Sequence, residues 1–303
     1  MSNHVNFPFL LPFKFVPRST NPGPHFDDAW TCEQIKSFQK AAYYKQKWGR
    51  SDTTTLQIES TIAPNAMLLY DERAVVVKTF DWTLIFTGPN YKIYQLVFDI
   101  SDKPEGVYWI YQQVQLMAIN WEVLSEPIHS KTTWPNTMKI DYKNSFNKDG
   151  VAWTTGLQMS FRVEAAIMDM NPEAEATSYI NQIRDSMILD GTAYRTYKLY
   201  IGEAPGVAPW VMDLLNRIFI CDYVMIEGKK YTRESGAKWE LTRQKNYPLV
   251  GGSLEIVESA NADGLQFSET TPLAPGIVVA YGIQTAFFGP GALVPVADVE
   301  EQG

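Results

Sequence analysis

The chain has 303 residues, 45% of them hydrophobic and 20% charged, with a formal net charge of -8. An acidic chain without a Lys/Arg run is excluded as a phosphate-backbone binder and offers no polybasic patch to an anionic membrane. The length is more than one small core needs and predicts two domains.

Aromatic residues are abundant, with 9 Trp, 16 Tyr and 15 Phe. They favour half-buried pleated surfaces, hence strands, and also subunit interfaces. Residues 1–28 place Pro8, Pro12, Pro17, Pro22 and Pro24 among aromatic residues. Proline at that spacing resists helix, so an extended apolar arm is expected, lying on its own body or on a neighbouring subunit. The prolines also interrupt the apolar run Phe7–Phe13, and no basic residue precedes it, unlike a signal peptide. No stretch approaches the length of a membrane span. Synthesis in the cytoplasm without export by the usual route is expected.

Residues 29–52 read as a short helix over 33–46 followed by a strand through Tyr43, Tyr44 and Trp48. Residues 53–130 form the clearest β region. Runs at 54–60, 67–70, 74–79, 82–86, 92–100 and 107–116 are separated by turn residues such as Gly88-Pro89-Asn90. Short strands at that spacing predict a sandwich or jelly roll. Residues 131–258 add strands at 138–142 and 157–163. An excursion is expected over 164–176, because Asn171-Pro172 is a breaker, and one or two helical turns over 178–187. Strands resume at 193–201. Pro209 is placed to start a helix running to Arg217, with Trp210, Leu214 and Ile218 at helical spacing. A strand over 219–226 turns at Glu227-Gly228 into Lys229-Lys230-Tyr231, a hairpin signal. Further strands follow at 239–242 and 253–257. Residues 259–303 carry Gly/Pro-punctuated strands and a polar tail.

Chemistry is sparse. The three histidines are His4, His25 and His129, and two lie in the arm, a poor platform for a preorganised site. No GxSxG elbow accompanies His129, and no GxxxxGK[ST], GxGxxG or EF-hand spacing occurs. Cys32 and Cys221 lack the CxxC spacing of a zinc or redox site. The expectation is no enzyme, no catalytic residues, no metal and no cofactor. A hydrolase using dispersed carboxylates is the weakest rival. Trp82, Trp109, Trp121 and Trp134 offer an alternative, the stacking platform of a carbohydrate-binding sandwich, with Trp82 and Trp109 as its glycan contacts. Phe7, Phe9, Phe13, Tyr43, Tyr44 and Trp48 are the expected assembly interface.

The layout also carries a resemblance. An aromatic arm is followed by a many-stranded region ending in Ser125-Glu126-Pro127-Ile128. Then come Ile140-Asp141-Tyr142-Lys143-Asn144, Phe161-Arg162-Val163, Leu199-Tyr200-Ile201-Gly202, the hairpin Ile226–Tyr231, and Tyr247-Pro248-Leu249. This resembles structural tail proteins of tailed phages and prophages, most of all the distal tail or baseplate-hub class, over about residues 26–257. The resemblance implies a mainly β, two-domain chain: a β-sandwich displayed outward plus an α+β, tail-tube-like ring-forming domain with one short helix. It implies a non-enzymatic virion component, hexameric or trimeric. Its partners would be copies of itself, the tail tube, the hub and the fibres, with no direct nucleic-acid binding and no membrane insertion. The helix at 209–217 has no assured place in that class.

Overall fold

The computed structural model describes residues 5–17, 44–116, 119–180, 184, 186–202, 206–243 and 249–259. All of them fall within one compact unit, Met1–Ala260. The expected helix over 33–46, Tyr43, Cys32, His4, His25 and the C-terminal strands lie outside the described residues, apart from Tyr44, Lys45 and Gln46 at the end of the helix range.

The described chain is mainly β. In chain order its strands are β1 (Val5–Asn6), β2 (Phe15–Pro17), β3 (Gln46–Gly49), β4 (Thr53–Ser60), β5 (Met67–Asp71), β6 (Val76–Phe80), β7 (Thr83–Thr87), β8 (Lys92–Asp99) and β9 (Gly106–Leu116). Then follow β10 (Ile119–Ser125), β11 (Ile128–Lys131), β12 (Thr137–Lys143), β13 (Met159–Ile180) and β14 (Ser186–Ile201). One α-helix, α1 (Pro209–Ile218), precedes β15 (Tyr223–Ile226), β16 (Lys229–Arg233), β17 (Glu240–Arg243) and β18 (Val250–Glu258).

The first sheet runs β1-β4-β8-β7 and the second β2-β10-β9-β11-β3, with the β5–β6 hairpin added beside β9. An aromatic cluster joins them. Trp48 of β3, fully buried, meets Phe98 of β8 edge-on at 5.3 Å, and Phe98 also meets Phe80 of β6 at 5.2 Å. Phe13, from the arm, inserts between them at 5.2 Å from Trp48 and 4.9 Å from Phe98. Edge and tilted geometries suit the ring quadrupoles and add to the area buried.

The third sheet closes on itself. β12 pairs β13 and β15, β13 pairs β14, β14 pairs β18, β18 pairs β16, and β16 pairs β15, all antiparallel. β17 adds to the end of β18. The ring is staggered at β13, which meets β12 over Met159–Glu164 and β14 from Ala165. Alternation supplies its apolar residues: Ile140 and Tyr142, Met159, Phe161 and Val163, Leu199 and Ile201, Leu254 and Ile256 are all buried. α1 packs against this sheet, with Val211, Met212, Leu214, Leu215 and Ile218 buried. Pro209 stands at its first turn, where a missing N–H costs nothing. The tip of Met212 reaches down to Gly252, where a Cβ would lie 2.5 Å from its Cε and require that flexible side chain to move.

Polar bonds stitch the closed sheet to the other two. Gln57 of β4 accepts from the Ala152 N–H at 2.7 Å, and Thr54 Oγ1 accepts from the Ser160 N–H at 2.9 Å. Arg162 of β13 grips Asp52 with two bonds, Nε to Oδ2 at 2.6 Å and Nη2 to Oδ1 at 2.9 Å. Asp52 is buried and also accepts from the Gly49 N–H. One apolar cluster, from Leu10 to Ile256, runs through all three sheets.

Three expected features are corrected. The excursion over 164–176 is strand instead, and so are 178–180 and 186–187 of the expected helical turns, as the continuation of β13 and the start of β14. Asn171-Pro172 does not break β13: the ladder shifts register between Met168 and Asn171, with Asp169 at a φ of 55°, and pairing resumes. Proline is tolerated where its missing N–H faces away from the ladder. The run 219–226 is strand only from Tyr223, since Phe219 caps α1.

Asp52→Asn leaves the Arg162 guanidinium without its compensating charge inside the seam. We expect a loss of roughly 3 kcal/mol in chemical denaturation, whereas Asp213→Asn, at an exposed helical pair with Arg217, should change stability by less than about 0.5 kcal/mol.

Candidate assembly interface

The ladder of β13 and β14 outlasts its neighbours. β12 covers β13 only from Met159 to Glu164, and β18 covers β14 only from Thr196 to Ile201. Beyond those points the two strands continue as a ribbon paired, among the described residues, only to each other, from Pro172↔Arg195 to Ile180↔Ser186. At roughly 3.3 Å per residue the ribbon projects about 30 Å. Its base is secured by Tyr200, whose hydroxyl donates to Asp169 at 2.6 Å, by the Lys198–Glu240 ion pair at 2.7 Å, and by Tyr197, which donates to Glu258 at 2.8 Å.

The ribbon sorts its side chains by face. Asn171, Glu173, Glu175 and Thr177 alternate onto one face with Tyr194 and Thr196 across the ladder. There Glu173 accepts from the Thr196 hydroxyl at 2.9 Å and the Tyr194 hydroxyl at 3.2 Å. Partial desolvation first, then the bond to Glu173, holds the Tyr194 phenol above its ordinary pKa. The other face carries Pro172, Ala174 and Ala176 with Gly191, Ala193 and Arg195. Large apolar residues mark both ends: Met168 and Met170 near the base, and Tyr179, Ile180, Ile188 and Leu189 toward the tip, all exposed. Ile188 is 70% exposed and Ile180 63%. A lone two-stranded ribbon is marginal in water, and open edges are templates for pairing. Apolar residues gathered on such a ribbon make it a candidate contact surface.

The residues expected at the interface are distributed differently. Phe13, Tyr44 and Trp48 are buried in the chain's own core, and Phe7 is half-buried against Phe15 at 4.7 Å. Phe9 is 73% exposed, with the Arg217 guanidinium 5.2 Å from its ring. Tyr43 lies outside the described residues. The arm described here, from Val5 to Pro17, thus folds largely onto its own body. Trp82 packs against the core and donates its indole N–H to Gln112 at 2.8 Å. Trp109 is half-buried opposite Tyr70.

His129 is half-buried, and burial first, then Lys131, Lys45 and Lys47, lower its pKa. Cys221 is a free thiol whose pKa burial pushes up to about 11, so it is held as the unreactive thiol. Among the described residues no group of three or more His, Cys, Asp and Glu is arranged to hold a metal ion. The buried carboxyl of Glu126 stands apart. It is 1% exposed, neither oxygen has a hydrogen-bond partner, and its backbone N–H donates to Lys14 of the arm at 3.0 Å. Desolvation raises its pKa well above the ordinary value, opposed only by Lys14.

No family model, curated protein or solved structure matches the chain.

A carboxyl whose folded-state pKa is raised stabilises the fold fully only below the ordinary pKa of 4.5, and that contribution is lost as pH rises toward the folded-state value. The unfolding free energy should therefore fall with pH above about 4.5. Glu126→Gln, which cannot ionise, should flatten that slope and be the more stable chain at pH 8 when thermal unfolding is followed across pH. An unchanged slope would place the pH dependence elsewhere.

Proposed function

We propose that the chain is a self-assembling structural subunit, and that the β13–β14 ribbon is its assembly element. The observation that carries this is the ribbon with two open edges and exposed apolar residues. The edge of β13 runs outward and that of β14 runs back. In a ring whose ribbons all point the same way, β13 of one copy lies beside β14 of the next, antiparallel. Each open edge then finds its complement on a neighbouring copy, a heterologous contact that ends in closure. Such a ring contributes two strands per copy. Six copies would give about twelve, wider than the eight-stranded barrel that side chains just fill.

Within that class, the reading that fits best is a virion component of a phage tail, the ring-forming distal tail or baseplate subunit that links the tail tube to the host-recognition apparatus. Three features support it: the closed antiparallel sheet with a single helix, the ribbon projecting from it, and the adjoining two-sheet portion. Residues 131–258 are then the ring-forming part and residues 53–130 the outward sandwich. The acidic face with Glu173 and Glu175 would suit a lumen that must not hold a polyanion. Among the six aromatic residues named from sequence, Phe9 keeps an interface role, since its ring is the most exposed of them. No bond-making step is assigned.

Replacing Pro172–Arg195 by an Asn-Gly turn would join Asn171 to Thr196, which already face each other across the ladder. The shortened chain should keep the parent's melting temperature within a few degrees and lose assembly, read by light scattering and negative-stain imaging at high concentration. Rings from the shortened chain, or a parent that stays monomeric under all conditions tried, would defeat this reading.

A further inference from the structure

One face of the second sheet carries chemistry that the ribbon does not use. β3 and β11 are parallel neighbours, with Gln46 opposite Ile128, Lys47 opposite His129 and Trp48 opposite Ser130. The period of two sends Gln46, Trp48, Ile128 and Ser130 inward, where all are buried. The same period sends Lys47, His129 and Lys131 outward, and exposed Lys45 precedes β3 at the same spacing. Three lysines and a histidine therefore share one small face of a chain whose net charge is -8.

They are arranged around one indole. The Lys131 ammonium lies 4.5 Å and the Lys47 ammonium 5.0 Å from the Trp134 ring centre. His129 meets the same ring edge-on at 4.9 Å. Trp134 is itself held in place, its indole N–H donating to the Trp48 carbonyl at 2.9 Å. Lys47 has a carboxylate partner in Glu164 at 3.1 Å. Among the described residues Lys45 and Lys131 have none within ion-pair distance. Like charges so placed repel, and burial first, then the lysines beside it, lower the pKa of the imidazole, against an opposing pull from Glu72.

We propose that this face is a binding site for an acidic sugar, a uronic acid or sugar phosphate unit of a polysaccharide, with its acid group on Lys45, Lys131 and His129 and its ring against Trp134. An anion there would relieve the repulsion and allow His129 to take up a proton. An aromatic ring beside cations suits a sugar, whose C–H face is apolar and whose acid group is charged. The patch is only two strands wide and stands near Glu72, Glu105 and Glu164, which disfavour a long polyanion such as nucleic acid. Lysines on an edge strand also deter stray strand pairing. That role requires neither the indole beside the Lys47 and Lys131 ammonium groups nor the imidazole packed on that indole. The site is independent of whether the ribbon builds a ring.

Calorimetric titration of the full chain with a galacturonic acid trisaccharide, glucose 1-phosphate, a neutral galactose trisaccharide, inorganic phosphate and a short single-stranded oligonucleotide tests the proposal. At least one of the two acidic sugars should bind, and which of them binds identifies the acid group. The neutral sugar should not bind. Lys131→Ala and Trp134→Phe should each weaken binding by about fivefold, while Lys238→Ala, an exposed lysine outside the patch, should not. Affinity should rise as pH falls through the histidine range, and the His129 ring signals in NMR should titrate at higher pH with the sugar bound. Because Trp134→Phe also loses the bond to Trp48, Lys131→Ala and the histidine titration decide if that variant folds poorly. The proposal is overturned if neither acidic sugar binds, if the neutral sugar binds equally, if the oligonucleotide binds more tightly than either acidic sugar, or if phosphate alone binds as well and Trp134→Phe changes nothing.

Discussion

A β-ladder satisfies backbone groups on one side of a strand only, and something must be found for the other side. In this chain the solution changes along β13. From Met159 to Glu164 the strand pairs with β12, and its side chains Met159, Phe161 and Val163 enter the core. At Ala165 the partner changes: the β12 ladder has ended and the ladder to β14 begins. The first half of the strand is held by burial, and among the described residues the second half pairs only with its hairpin partner. The division of labour follows: an apolar body, and an appendage whose outer edges meet no other described strand.

The body is sealed by two different means. Between the first two sheets the aromatic contacts of Phe13, Trp48, Phe80 and Phe98 supply area without requiring a direction. Between these and the closed sheet the contacts are directional: Asp52 with Arg162, Gln57 with Ala152, Thr54 with Ser160. Buried polar bonds of this kind add little net stability, yet any other docking of the sheets would leave the same groups unsatisfied. They therefore define how the root of β13 is aimed, and with it the direction of the ribbon.

Much of the body is legible in the sequence, because its strands are half-buried. In β4 and β8, Leu56, Ile58, Leu96 and Phe98 alternate with polar or exposed positions, and gaps such as Gly88-Pro89-Asn90 fall between strands. α1 declares itself through Pro209 and the spacing of its apolar residues. The ribbon does not, since neither of its faces meets a core. Glu173-Ala174-Glu175-Ala176 is helix-favouring by composition, and Tyr179, Ile183 and Met187 fall at helical spacing. What identifies it as strand is the cross-ladder partner, which lies about twenty residues away. The same limit applies to the arm. Apolar residues between prolines must be covered, but sequence does not say by which chain, and for Phe13 the answer is its own. The cluster around Trp134 was hidden for another reason: Lys47 and Lys131 are 84 positions apart, and only the parallel pairing of β3 with β11 sets them side by side.

Pro172 has a consequence for how quickly the ribbon finds company. A strand with unbroken donors along its free side accepts almost any extended chain in almost any alignment, the first step toward fibrous aggregates. Pro172 has no N–H to offer in a stretch of β13 that, among the described strands, only β14 covers, and Glu173 and Glu175 bring negative charge to the same stretch. An arriving strand that is out of step meets a missing donor or a repelling carboxylate and leaves again. Slow, reversible joining of this kind lets a growing assembly discard its mistakes.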